Sequence, residues 1–185
     1  MTRCASRVRS RPPIAPPSPP FGRERVGDRY DTAMPADAPT LDVKLQPGPV
    51  TYAPWDPFPS DAGAECVFLG RTRADAHPDH GPLRELSYDA YADMAERVMR
   101  ELAREAADEH GCLAVRLHHA IGTVPAGAAS VLVQTVAGHR AEAFAACRFL
   151  IDTLKVRVPV WKRERWSDGE TWAPGAPVIT EGDER

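Results

Sequence analysis

Lysine is the scarcest charged side chain here. Of 23 basic residues only three are lysines, Lys44, Lys155 and Lys162. Two of the three fall within one eight-residue window. A primary amine can serve as nucleophile or proton donor, which a guanidinium cannot. Basic excess is absent as well: the formal net charge is −3. That excludes the electrostatic footprint of a nucleic-acid binder. No apolar run approaches the roughly 18 residues of a membrane helix, so no membrane partner is expected. Cys4, Cys66, Cys112 and Cys147 form no C-x-x-C pair, which argues against a zinc site. A disulfide scaffold is not expected in a chain of this size without an export signal. The thiols read as reduced and mostly buried; only Cys147 lies in a segment rich in chemistry. Neither a G-x-S-x-G elbow nor a glycine-rich nucleotide loop occurs, which leaves out a serine hydrolase and a nucleotide enzyme. No metal and no other cofactor is expected.

Hydrophobic residues make up 43% of the chain, enough for one soluble core. Residues 1–33 read as an unstructured extension. Seven arginines face two acids between Met1 and Tyr30, among three proline pairs. Such a segment cannot bury enough apolar surface to offset its ordering entropy. It also lacks the apolar centre of a secretory signal, so the cytoplasm is the expected compartment and Met34 is a candidate start. Residues 34–62 read as a proline-rich lead-in with one short apolar alternation from Leu41 to Leu45. The folded domain is expected over residues 63–175, with a flexible tail over 176–185.

Within that domain Ala64–Gly70 reads as a buried strand and Arg71–Pro82 as a polar loop. Leu83–Tyr91 alternates and reads as a second strand. Met94, Val98, Leu102 and Ala106 recur at four-residue steps, which predicts an amphipathic helix over 93–109, stopped by Gly111. Leu113–Ile121 and Ala129–Ala137 read as strands. His139–Lys155 reads as a second helix with Phe144, Cys147, Ile151 and Leu154 on one face. Pro159 disfavours helix before it, so Val158–Trp166 is expected to be extended, with a last short strand around Thr171–Ala173. The order β-β-α-β-β-α-β implies an α+β domain, a mixed or antiparallel sheet with two main helices.

The chemistry concentrates between Gly138 and Trp172. His139 and Arg140 open a helix, whose first turn offers unpaired N–H groups and a partial positive charge to an anion. The bland alternative is a solvated helix start. Lys155 sits near the other end, where a cation also suits the helix dipole. Val158-Pro159-Val160-Trp161 bridges to Lys162; a packed bridge would fix both amines, whereas a surface charge in the Lys-Arg-Glu-Arg run is the alternative for Lys162. Arg73 ends Gly70-Arg71-Thr72-Arg73, where a strand gives way to a loop suited to bidentate phosphate contacts. His77 and His80 lack a third ligand in sequence, so a metal site is not expected. His118 and His119 are adjacent on a strand and face opposite sides.

The run HRAEAFAACRFLIDTLKVRVPVWKRE, from His139 to Glu164, resembles the signature of the large subunit of molybdopterin synthase, the MoaE family. There a His-Arg pair opens a helix ending in Leu-Lys, followed by Pro, Trp-Lys and Glu. Gly63-Ala64 with Phe68-x-Gly70-x-x-Arg73 is similar to the family's first strand and arginine loop. Leu86-x-Tyr88-Asp89-Ala90-Tyr91-x-x-Met94 and His119-x-Ile121-Gly122 are similar to two further family segments. The resemblance runs from about Gly63 to Trp172. Ala120 departs from the usual arginine, and Asp89 from the usual glutamate.

The resemblance implies an α/β hammerhead fold and a homodimer at the centre of a heterotetramer. It implies a small ubiquitin-like sulfur carrier ending in Gly-Gly as partner. The carrier's thiocarboxylate would deliver sulfur to cyclic pyranopterin monophosphate, forming the molybdopterin dithiolene. Matched position by position, Lys155 and Lys162 are the implied catalytic residues, and Arg73, His139 and Arg140 the implied substrate binders. A catalytically inactive relative that binds carrier or anion is the alternative. His139 and Lys155 lie sixteen residues apart on one expected helix, roughly 24 Å at 1.5 Å per residue. A pterin monophosphate cannot bridge that span, so a site using both ends has to draw on two subunits.

Overall fold

The structure, a computed structural model, describes residues 38–172. The expectations for residues 1–33 and 176–185, with Met34 and Cys4, fall outside the described residues. The elements in chain order are β1 (Thr40–Pro47), β2 (Ala64–Arg71), β3 (Ala76–His77), β4 (Gly81–Ala90), α1 (Ala92–His110), β5 (Cys112–Pro125), β6 (Ala129–Ala137), α2 (Arg140–Arg157), β7 (Val160–Trp166) and β8 (Glu170–Trp172). The class is α+β. The sheet order is β2-β6-β5-β4-β7-β8, with β1 beside β5 and β3 beside β4. The β1–β5 pair is parallel and the other pairs are antiparallel.

The sheet starts earlier than Gly63. β1 lies inside the stretch that reads as lead-in, and its Val43 is buried between the sheet and α1. Val50, past the proline turn at 47–49, is buried in a second core. The alternation from Leu41 to Leu45 is this strand, although it lies among prolines; Pro47 and Pro49 stand where the strand ends and a turn is wanted.

The 14 residues of β5 hold two half-sheets together. Residues up to Ile121 pair with β1 and β6. Gly122 then takes a positive φ of 73°, which glycine adopts without a Cβ penalty, and the strand goes on to pair with β4. Both helices cover one face of the first half-sheet, with Met99, Leu102, Leu117, Val133, Leu150 and Leu154 among the side chains between them. Each fully buried Leu or Met there contributes roughly 2 kcal/mol by removal from water.

The buried helical stripes keep Leu102, Ala106, Cys147, Ile151 and Leu154 from the expected ones, with Val98 half-buried, and depart from them at Met94 and Phe144. In α1 the buried face runs through Ala95, Met99, Leu102 and Ala106, while Met94 is exposed. In α2 it runs through Ala143, Ala146, Cys147, Leu150, Ile151 and Leu154, and Phe144 is 62% exposed. Alanines fill much of each stripe beside these large residues, and the exposed Met94 and Phe144 lie off it. α1 ends as expected at Gly111, at φ 64°, whose N–H bonds Ala107 O. α2 ends before Pro159, with Val158 extended and its N–H on Leu154 O at 3.0 Å.

Candidate active site

Lys155 and Lys162 flank the one tight connection from α2 to β7. Val158 is buried and Val160 packs against both cores, so the Val-Pro-Val-Trp bridge is anchored rather than loose. Trp161 meets Tyr91 edge-on at 5.1 Å between ring centroids. Lys155 is exposed on the last turn of α2. Its neighbour Arg157 ties α2 to α1 through Glu105 at 2.7 Å.

Alternation along β7 separates the charges of Lys162-Arg163-Glu164-Arg165. Lys162 and Glu164 share the face of Val160 and the buried Trp166, and the Lys162 Nζ lies 3.7 Å from Glu164 Oε1. Arg163 and Arg165 take the opposite face. There Arg163 reaches Asp89 at 3.0 Å and Arg165 reaches Glu85 at 2.9 Å and Glu170 at 2.8 Å. Lys162 is therefore not part of that outer ion-pair ladder. Sequence reasoning passed over Glu164 as a site residue; the i, i+2 spacing on a strand is the signal that would have found it.

Tyr88 stands opposite Lys162 on β4. It is buried, and burial raises its pKa; a hydrogen bond with Ser130 works the other way and the Glu164 carboxylate adds to the rise. His119 meets Tyr88 edge-on at 5.1 Å and its Nδ1 donates to Ala120 O at 2.7 Å. Burial lowers the His119 pKa, so the ring is neutral at physiological pH.

Arg73 follows β2 and is 83% exposed, paired with Asp75 at 3.1 Å. The start of its run is fixed: Thr72 N–H bonds Ala128 O at 2.9 Å, and Gly127 N–H bonds Thr72 O at 2.8 Å. His139 is the extended residue capping α2, with no side-chain cap bond, and Arg140 is the first helical residue; both are exposed. The two ends of α2 thus hold different groups, and one chain does not bring His139 and Arg140 to Lys155.

His118 does point away from His119. Its Nε2 lies 2.9 Å from Asp42 Oδ1, and Arg116 Nε donates to Asp42 Oδ2 at 2.7 Å. Arg116 also donates to Gln134 at 2.8 Å and lies 4.2 Å from the Trp55 ring centre, while Gln134 bonds Glu65. Burial alone would raise the Asp42 pKa, but His118, Arg116 and Lys44 together hold it down to about 2. This network spans four strands of the sheet and includes neither Lys155 nor Lys162. His80 pairs with Asp168 at 3.2 Å and its ring lies 4.8 Å from that of His77. Among the described residues no group of three His, Cys, Asp or Glu side chains could hold a metal ion.

Cys147 lies in the core against Cys66 and Cys112 rather than in the site. Cys66, Cys112 and Cys147 are free thiols. Ala120 is fully buried in the second core, and Asp89 serves the outer ladder through Arg163.

The family model described as MoaE protein matches residues 49–157, more than half of the chain. The chain belongs to the MoaE family. Arg73, His139, Arg140 and Lys155 lie inside the matched residues, while Lys162 lies just beyond them. A molybdopterin synthase catalytic subunit from Oryza sativa subsp. indica is 46% identical over 111 residues, covering 60% of this chain and 56% of that protein. One from Nostoc is 44% identical over 112 residues, covering 60% of this chain and 67% of that protein. The chain thus spans little more than half the length of its rice relative. Among solved structures, molybdopterin synthase from Staphylococcus aureus matches with a TM-score of 0.64 and 26% identity, over 71% of this chain and 96% of that one. The fold of this chain is therefore the α+β arrangement of that structure.

Proposed function

We propose that this chain is the catalytic subunit of a molybdopterin synthase. It moves sulfur from the C-terminal thiocarboxylate of a small Gly-Gly carrier subunit to cyclic pyranopterin monophosphate, in the cytoplasm. The observation that carries the reading is the pair Lys155 and Lys162, held by an anchored bridge in a MoaE chain with only three lysines. Lys155 neutralises the thiocarboxylate and polarises its carbonyl, and Lys162 assists proton transfer as sulfur adds to the precursor carbon. Arg73, His139 and Arg140 grip the phosphate and pterin. Among the described residues no helix is long and apolar enough to cross a membrane.

Two chains build each site in this reading. Among the described residues the edge strand β2 has β6 as its one strand neighbour; β2 exposes Val67 and Phe68, 40% and 37%, and α2 exposes Phe144. α2 doubles back along β6, as the bond from Thr135 Oγ1 to Ala143 O shows, and so runs parallel to β2. An isologous two-fold contact that sets two β2 edges antiparallel brings His139 and Arg140 of one protomer toward Arg73 and Lys155 of its partner. Such a dimer also covers an apolar strand edge that would otherwise invite uncontrolled pairing.

The test is reconstitution with thiocarboxylated carrier and cyclic pyranopterin monophosphate, reading dithiolene product as its fluorescent oxidised derivative. Product formation that vanishes in Lys155→Ala is the expected result. Carrier binding without any product would instead support an inactive relative. The observation that favours that second reading is Ala120, buried where the family usually carries an arginine.

A further inference from the structure

The hairpin of β3 and β4 carries His77 and His80, to which the sulfur-transfer chemistry assigns no role. Its strands pair at Ala76 with Pro82 and at His77 with Gly81. His77 Nδ1 accepts the Asp79 N–H at 3.2 Å, which tightens the turn. The tip is seated on the turn between β7 and β8. Ser167 Oγ donates to His80 O at 2.7 Å, and His80 Nδ1 lies 3.2 Å from Asp168 Oδ1. An ionised carboxylate only accepts, so the ring nitrogen is the donor. The His77 ring centre lies 4.8 Å from that of His80 and 5.3 Å from that of the buried Trp166. The seat is close: Gly81 has a φ of 71°, and a Cβ there would overlap the Ser167 hydroxyl.

The β7–β8 turn is itself fixed. Trp166 N–H bonds Gly169 O at 2.8 Å, and its Nε1–H donates to Thr171 Oγ1 at 2.8 Å. The same β7 carries Lys162. At its other end the hairpin runs back into the arginine loop. Arg73, Ala74 and Asp75 are exposed and lie outside any strand. They hang between two anchors. The near one is Thr72, whose backbone bonds Ala128 O and the Gly127 N–H. The far one is Asp75 O, which accepts the Leu83 N–H at 2.8 Å near the start of β4. Three residues hold Arg73 in one place only while both anchors hold.

We propose that His80, bonded to Asp168 and Ser167, is a latch that holds the far anchor and so acts as a positioning residue for Arg73. The latch touches no reacting atom; it ties the arginine loop to the strand that carries Lys162. The proposal rests on the substrate-binding role assigned to Arg73. An exposed ion pair such as His80 with Asp168 contributes little to global stability, so its loss frees the loop and leaves the fold in place.

The test compares wild type, His80→Ala, Asp168→Ala, the double variant, His80→Asn and Arg73→Ala in the full chain. The amide of His80→Asn keeps a donor near the place of Nδ1. Three readouts are needed: kcat and KM for cyclic pyranopterin monophosphate in the reconstituted reaction, the thermal midpoint, and the rate of tryptic cleavage after Arg73, from peptide masses. Cleavage of a folded chain follows the population of the opened loop. The expected result for His80→Ala is a rise of about fivefold in both Arg73 cleavage and KM, the weight of one ordinary hydrogen bond, with kcat and the thermal midpoint unchanged. Asp168→Ala does the same, the double variant is no worse than the poorer single one, and His80→Asn restores both quantities. Unchanged cleavage in His80→Ala overturns the proposal whatever the turnover. So does faster cleavage with an unchanged KM, where Arg73→Ala raises KM, and so does a rise in KM that merely follows a lowered thermal midpoint. Faster cleavage in His80→Ala, with a KM that Arg73→Ala leaves unmoved, refutes the substrate role given to Arg73 and leaves the latch supported.

Discussion

Lys162 and Glu164 lie on one face of β7 with Nζ 3.7 Å from Oε1, while Arg163 between them turns away to Asp89 at 3.0 Å. A four-residue charge run that looks uniform in sequence is therefore two different environments. The separation predicts unequal mutational effects. Lys162→Ala lowers kcat by about 100-fold or more, the scale of losing a positioned proton-transfer group. Lys162→Arg does not restore it, since the guanidinium keeps its proton. Arg163→Ala changes kcat by less than about threefold, as an outer ion pair contributes little. Steady-state kinetics on the three variants checks the contrast.

Asp42 gives a pH-dependent prediction. Its carboxyl is held at about 2 in the folded chain against an ordinary 3.8, by His118 and then Arg116 in opposition to burial. The folded state therefore binds this proton more weakly than the unfolded chain. The stabilisation, about 2 kcal/mol by linkage, is fully present above about pH 4 and is lost as pH falls toward 2. Denaturant midpoints of wild type and Asp42→Asn should differ at pH 7 and converge between pH 4 and pH 2. A gap that stays constant over that range contradicts the assignment.

Thiol reactivity tests the packing of the core. Burial pushes the Cys147 thiol up to about 12, with Cys66 adding to the rise, and the Cys112 thiol up to about 11. Both should resist a thiol-specific reagent at pH 8 in the folded protein and react fully in denaturant, since the thiolate is the reactive form. Mass mapping of the labelled cysteines reads this directly.

Gly63 connects the start of β2 to the turn before α2. A Cβ placed there overlaps the Gly138 carbonyl, next to His139. Gly63→Ala is expected to destabilise the chain by about 1–2 kcal/mol and to raise KM for the pterin substrate more than it lowers kcat. The Tm and the two kinetic constants, measured together, separate the two effects.

Periodicity made most elements readable. The strands at β2, β4, β5 and β6 and both helices fall where the apolar patterns put them, but β2 is an edge strand with no buried residue rather than the buried strand its apolar run suggests. The two-residue β3 is too short to show a period, and the early β1, whose alternation from Leu41 to Leu45 is visible, lies within the stretch that reads as a proline-rich lead-in. The lysine pair stood out through scarcity and through the family-like run from His139 to Glu164. The network of Asp42, Arg116, His118, Gln134 and Glu65 could not, because its members come from four strands and only pairing register brings them together. Polar residues on buried strand faces carry no local mark of what they will meet.

Complementation between two inactive chains tests the shared site most directly. Arg140→Ala and Lys155→Ala proteins, each inactive alone, are mixed so that subunits exchange, and dithiolene formation is measured with carrier and cyclic pyranopterin monophosphate. Each mixed dimer pairs an intact Lys155 from one chain with an intact Arg140 from the other, once. Half of the dimers are mixed after equal exchange, so activity should return to about a quarter of wild type. No recovery, with exchange verified by mass, would contradict an active site built from two chains.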